Sequence, residues 1–272
     1  MKAKARRSSN RIYQIYFRAE QKAGLAAEFI PYFKPEEEEK EWREYWTFQK
    51  NSRDAIASKG LTGFVSWKFE SKSGVSPKKF LKFIENNPGY DLYFLNPFPL
   101  DALLFDSVWR HGEQYHPRLT DFSAMLLLKT GHRIDLDAFR NSPEQAGFSN
   151  YWVGNAKFWR AYMDFTLPVA KYIRNKLTDA EAHYVYSIAD KVSNCSHIPF
   201  IFERLFTTLL VANSTIKYLS YQYDDQDLKK RYSFFGRLLV RILRHDKFRQ
   251  SLPGKFFCSA IVAARRLREK LR

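Results

Sequence analysis

Gly63-Phe-Val-Ser-Trp-Lys-Phe69, then Ser76-Pro77 ahead of Phe80, Leu81, Phe83 and Ile84, then Tyr90-Asp-Leu-Tyr-Phe-Leu95: this run decides the fold class. Its first and last segments are short and rich in aromatic and β-branched residues, so both read as strands. Between them, Ser at N-cap and Pro at the first helical position open a helix. The four apolar residues give that helix a buried face, and Asn87-Pro88-Gly89 stops it. Strand, helix and strand within 63–95 form a βαβ unit, so an α/β fold with a partly parallel sheet is expected.

Working outward, Ile12-Tyr-Gln-Ile-Tyr-Phe17 is a further strand. Residues 35–50, acidic and then rich in Trp42, Tyr45, Trp46 and Phe48, read as a loop leading into a partly buried segment. A helix is expected over Thr120–Thr130, with Gly131 just past its end. From Phe158 the pattern is mostly helical, including 179–192, 199–218 and two basic helices after 229. Tyr223-Asp-Asp-Gln-Asp227 is the natural boundary. The expected organisation is a flexible basic arm (1–10), one domain (11–222) and a basic amphipathic tail (223–272).

The 272 residues carry a formal charge of +16, which on its own points to nucleic acid or an anionic membrane. Position separates the two. Residues 1–11 hold five basic residues and no acid, and 229–272 hold fourteen against Asp246 and Glu269. The span 12–228 holds 26 basic and 27 acidic residues, so the body is neutral. A nucleic-acid enzyme carries its charge through the binding channel, so no nucleic acid is expected as partner, although a nucleic-acid-binding protein stays an alternative. In the tail, Phe234, Phe235, Leu238, Leu239 and Ile242 fall on one helical face, and Phe256, Phe257, Ala260, Ile261, Ala264, Leu267 and Leu271 on another. Pro253-Gly254 reads as the break between them. Such basic faces suit an anionic bilayer; the plainer reading is that they pack on the body with their charges solvated.

No apolar run reaches the roughly 18 residues a span needs, since Glu203 and Arg204 interrupt Ile198–Ala212. The N-terminus lacks the apolar run of a signal peptide. Two cysteines make no disulfide framework. The expected location is cytoplasmic, peripheral on the inner face of the membrane. Walker, dinucleotide, G-x-S-x-G and H-E-x-x-H patterns are all absent from the sequence. One metal-type spacing occurs, Asp135-Leu-Asp137. Such a pair can share a divalent ion that bridges a diphosphate, or Asp137 can simply cap the next helix.

Several blocks together resemble bacterial glycosyltransferases of capsule, O-antigen and related surface-polysaccharide loci. They are Ile12–Phe17 with Phe29-Ile-Pro-Tyr32, Gly63–Phe69 with Lys72-Ser-Gly74, and Tyr90-Asp-Leu-Tyr-Phe-Leu-Asn-Pro-Phe98. Val108-Trp-Arg-His-Gly-Glu113 with His116-Pro117, Asn150-Tyr-Trp-Val-Gly154 with Phe158-Trp159, and Pro199-Phe-Ile-Phe-Glu-Arg-Leu205 complete the set. The resemblance covers about residues 11–212. It implies a GT-A-like (Rossmann-like) sheet flanked by helices, a nucleotide-sugar donor and a glycan acceptor, usually lipid-linked. In that family a metal-binding D-x-D commonly closes a central strand. Here the strand ends Leu95-Asn96-Pro97, which leaves Asp135 and Asp137 as the spare candidates for Mg or Mn. The departure keeps a non-catalytic membrane scaffold open as a second function.

Transfer chemistry assigns roles by residue type. The donor's leaving charge needs a cation, which suits Lys68 or Arg204, or a metal. Tyr13, Gln14 and Tyr16 (or nearby Arg18) on the first strand suit nucleobase and ribose, and Asn96 and Asn150 join the donor-binding set. A general base for the acceptor hydroxyl comes from Asp91, Glu113, His116 or Glu203. Each has a structural alternative. Asp91 can cap its strand, Glu113 and His116 can serve their loop, and Glu203 and Arg204 can be a helix ion pair. Lys68 can be a solvated strand residue. Trp67, Trp109, Trp152 and Trp159 are either core or sugar platforms.

Overall fold

The βαβ unit expected over residues 63–95 is present in the structure, a computed structural model that describes residues 10–190 and 194–270, with side chains to Leu267. Residues 1–9 of the expected basic arm, and the tail side chains from Arg268 onward, lie outside the described residues. In chain order the first half runs β1 (Arg11–Tyr16), β2 (Ile30–Phe33), α1 (Arg43–Ala57), β3 (Thr62–Ser66), α2 (Phe69–Ser73), α3 (Pro77–Asn86), β4 (Leu92–Phe94), α4 (Pro99–Leu104), α5 (Val108–Tyr115) and α6 (Leu119–Lys129). The second half runs β5 (Trp152–Gly154), α7 (Ala156–Asn175), α8 (Asp179–Tyr186), β6 (Ile188–Asp190), β7 (Cys195–Ser196), α9 (Ile198–Ala212), β8 (Tyr218–Ser220), α10 (Asp225–Arg231), α11 (Phe234–Leu243), α12 (Asp246–Gln250) and α13 (Leu252–Lys270). Ser76 caps α3 as expected, its side chain accepting from the Lys79 N–H with Pro77 at the first position.

The central sheet has six strands in the order β2-β1-β3-β5-β4-β8. β1 pairs in parallel with β2 and β3, and β4 in parallel with β8. β5 is antiparallel to both neighbours and separates β3 from β4. The βαβ strands are therefore parallel but one strand apart, filled by a segment from 60 residues downstream. The fold is α/β with a mixed central sheet flanked by helices on both faces. Strand side chains alternate between two cores. Ile15, Phe64, Phe94 and Trp152 face one core with Phe48, Trp159 and Phe206. Ile12, Val65, Tyr93 and Val153 face the other with Phe69, Phe80 and Leu228.

Five segments differ from expectation. Residues 43–57 form α1 rather than a loop, because Trp42, Tyr45 and Phe48 recur every three residues and are all buried. β3 stops at Ser66 and Phe69 opens α2, which Gly74 closes at φ +73°. The helix expected to run on to 192 ends at Tyr186, and Ile188–Asp190 is a strand against Cys195–Ser196. The helix expected over 199–218 ends at Ala212, leaving β8 as a three-residue strand too short to signal itself. Pro253 and Gly254 begin α13 instead of breaking a helix, since Pro in a first turn has no hydrogen bond to lose. No helix among the described residues is long and apolar enough to cross a membrane.

The tail packs on the body through a narrower stripe than its pattern implies. Val240, Leu243 and Cys258 are buried in the same core as Tyr93 and Phe80. Phe234, Phe235, Leu238 and Phe256, from the apolar faces read in the tail, are exposed.

Candidate functional site

In an open α/β sheet, ligands bind beyond the carboxyl ends of the parallel strands, where successive connections leave in opposite directions. Here β2 and β3 lie on opposite sides of β1, so that crevice opens beyond β1 and β3. A cleft of about 610 Å³ occupies this place. Gln14 and Trp67 form its floor and side, and Glu20, Glu28 and Glu70 line its rim. Gln14 is buried and ties the walls together. Its Oε1 accepts from the Ala26 N–H at 2.8 Å, and its Nε2 donates to the Trp67 carbonyl at 3.4 Å.

From the cleft, a line of polar groups follows the same sheet edge. Lys68 is exposed with Nζ 5.0 Å from the Trp67 ring centre. One turn further along α2, Lys72 Nζ donates to Ser149 Oγ at 2.6 Å. The Ser149 N–H donates to Glu203 Oε2 at 2.7 Å. β5 runs antiparallel, so its beginning lies at the edge where β3 and β4 end, and continuing its register sets Asn150 opposite Asn96. Ser149 and Asn150 hold φ of +68° and +53°. Two successive non-glycine residues in the left-handed region are strained, and such strain clusters at functional sites. The Asn150 Oδ1 and Asn96 Nδ2 atoms are buried without a hydrogen-bond partner. Arg231 adds a third cation, its guanidinium 5.0 Å from the Phe98 ring and Lys72 Nζ 5.1 Å from the same ring.

Of the four expected base candidates, the structure brings only Glu203 to this edge. Its side chain is 18% exposed, and Oε1 lies a loose 3.7 Å from Arg204 Nη1. Asp91 sits at the opposite, amino end of β4. Its carboxylate accepts from Asn155 Nδ2 at 2.9 Å, Lys157 Nζ at 2.7 Å and the Lys217 N–H at 3.0 Å. Burial opposes its ionisation, but these three bonds hold its pKa below the ordinary value. Glu113 caps α6, accepting the Arg118 and Thr120 N–H groups at 2.6 and 3.0 Å. His116 is buried and stacked on Phe200 at 3.8 Å.

The donor-side candidates also divide. Gln14, Lys68, Asn96 and Asn150 lie along the edge. Tyr13 is instead stacked on Phe64 at 4.9 Å within the sheet-facing core. Arg204 is turned inward: its Nε donates to the Val108 carbonyl at 3.0 Å, Nη1 to the Phe200 carbonyl at 2.9 Å, and Nη2 faces His111 Nδ1 at 3.3 Å. Trp109, Trp152 and Trp159 are fully buried core, whereas Trp67 is half-exposed and lines the cleft. Asp135 Oδ1 accepts the Asp137 and Ala138 N–H groups, each at 3.0 Å, which makes Asp135 the cap of that turn. Among the described residues no group of three or more His, Cys, Asp or Glu side chains gathers for a metal.

The expectations passed over Lys72, Ser149 and Arg231 as site residues. Lys72 belonged to a resembling block and carried the one usable signal. Ser149 matters through backbone geometry, and Arg231 arrives from 134 residues beyond its partner carbonyl, Pro97.

Three histidines lie nearby: half-buried His111 meets Arg204 Nη2 at 3.3 Å, and the rings of buried His116 and His197 lie 6.3 Å apart. Burial is the first cause in each case and lowers all three pKa values, with His116 brought to about 4. The folded values lie below the unfolded one of about 6.5. Stability present above pH ~6.5 is therefore lost as pH falls toward 4, because the unfolded chain takes up protons that the native chain refuses. The thermal midpoint should fall by several degrees between pH 7 and 4.5 in a pH series. An unchanged midpoint over that interval would show that the three rings are solvated.

Comparison with known proteins adds no assignment: the chain matches no family model, no curated protein and no solved structure.

Proposed function

We propose that this protein is a GT-A-like glycosyltransferase that moves a sugar from a nucleotide-sugar donor to a glycan acceptor, lipid-linked and reached from the cytoplasmic face of the membrane. The observation that carries the reading is the chemical polarity of the sheet edge. A cleft with one half-exposed tryptophan and three rim carboxylates passes into two lysines, and then into a carboxylate beside two strained residues. A nucleotide sugar has the same order of parts. Its base is an aromatic plane and suits Trp67. Its ribose presents hydroxyl donors, which suit Glu20, Glu28 or Glu70. Its diphosphate is anionic and suits Lys68 and Lys72, and the sugar then falls beside Asn96, Asn150 and Glu203.

The reaction breaks the bond between the anomeric carbon and the diphosphate oxygen and forms one from that carbon to the acceptor oxygen. Electrons of the broken bond leave with the nucleotide, where Lys72 stabilises the developing charge. In the inverting form, the acceptor proton passes to Glu203 Oε1, the carboxylate oxygen not engaged by Ser149. No step is routed through a metal.

A turnover assay with a panel of UDP-, GDP-, CMP- and dTDP-sugars tests the proposal. Nucleotide release from one donor class is expected, and Lys72→Ala should slow it by about 10²-fold, the usual effect of losing one charge-stabilising donor. Release from no donor, with or without added glycan acceptor, would overturn it.

A further inference from the structure

α11 and α13 each carry two apolar stripes on opposite sides. The inner stripes, Val240 with Leu243 and Cys258 with Ile261, pack on the body. The outer stripes face away from the core: Phe234, Phe235, Leu252 and Phe256 are 66, 75, 85 and 78% exposed. Exposed cations accompany them on the same segment, Lys255 on α13 and Lys247 on the intervening α12. A surface of aromatic and aliphatic side chains interleaved with lysine and arginine matches one partner on both counts. The apolar groups enter the acyl boundary while the cations meet anionic headgroups. Nucleic acid would satisfy only the cations, and a second protein copy of the same charge would be repelled by them.

We infer that the outer faces of α11 and α13 form a docking surface for an anionic bilayer, and that α4 holds this surface beside the candidate cleft. α4 begins three residues after Asn96. The tail is fastened to α4 and the turn before it at three points. Arg231 Nε donates to the Pro97 carbonyl at 2.9 Å, and the Leu100 N–H donates to the Tyr232 hydroxyl at 3.3 Å. Arg265 Nη1 donates to Asp101 Oδ1 at 2.6 Å, a half-buried ion pair. The tail is thus bound rigidly to the loop that closes β4, and a docked tail fixes how the sheet edge faces the bilayer. The docking surface goes beyond the glycosyltransferase reading and does not depend on it.

Co-sedimentation of the full chain with vesicles tests the inference. One set is phosphatidylcholine alone and the other contains phosphatidylglycerol. Partitioning should be at least about tenfold stronger on the anionic set and fall with salt. The double variant F235S/F256S removes only exposed groups, so its circular dichroism should match the parent, while its partitioning falls about tenfold or more. K247E/K255E should lose a similar factor through charge alone. Three outcomes would overturn the inference. One is equal binding to both vesicle types. Another is unchanged binding by F235S/F256S. The third is a parent chain that dimerises through these faces, or binds duplex DNA in preference to anionic vesicles.

Discussion

Glu203→Gln is expected to lower sugar transfer by about 10²- to 10⁴-fold, the range for removing a positioned general base. The substitution keeps an oxygen that can accept the Ser149 N–H, so the strained turn into β5 and the overall stability should survive. The same assay separates Glu203 from Asp91 and Glu113. Asp91→Asn and Glu113→Gln remove structural bonds, one at the far end of β4 and one at the cap of α6. They should cost stability and leave the turnover of the folded fraction close to the parent. A turnover loss in Asp91→Asn equal to that in Glu203→Gln, with both variants folded, would place the chemistry at the opposite edge of the sheet.

Arg204→Ala should cost about 3–5 kcal/mol of stability, the scale for disrupting a buried charged network. The guanidinium is fully buried and satisfies the Val108 and Phe200 carbonyls, which join α5 to α9. Its Nη2 points at His111 Nδ1, a contact that requires a neutral ring with its lone pair on that nitrogen. Burial, then the Arg204 charge, keeps His111 well below its ordinary pKa. Gly112 passes so close that an added Cβ would lie 2.3 Å from Arg204 Nε. Arg204→Ala therefore removes two side-chain bonds to carbonyls and leaves a cavity, while Arg204→Met restores most of the volume and should lose less. Chemical denaturation of the three proteins measures this. A loss under 1 kcal/mol for Arg204→Ala would mean that water replaces the guanidinium without cost.

The local grammar of residues 63–95 was legible because Ser76-Pro77 and the apolar face of α3 are signals carried by neighbours in sequence. The order of the sheet was not, because β5 enters between β3 and β4 by pairing across long separations that no local pattern records. β8 and β6 were illegible for a second reason: three residues cannot show a period. Among site residues, type alone could not divide Asp91, Glu113, His116 and Glu203. The division comes from which end of the sheet each one reaches and which backbone groups it already serves. In the tail, amphipathic spacing was visible, but an apolar residue on a helix gives no sign of which of two opposite stripes will meet the body. Val240 and Phe235 differ in burial and not in hydropathic character.

Calorimetric titration of the full chain with UDP-, GDP-, CMP- and dTDP-sugars is the most direct test of the central claim, that the crevice beyond β1 and β3 takes a nucleotide. One nucleotide class should bind at a stoichiometry of one, with Trp67→Ala weakening it by roughly ten- to a hundredfold, the scale of one base–aromatic stack. No binding by any of the four, or binding that Trp67→Ala leaves unchanged, would contradict the account.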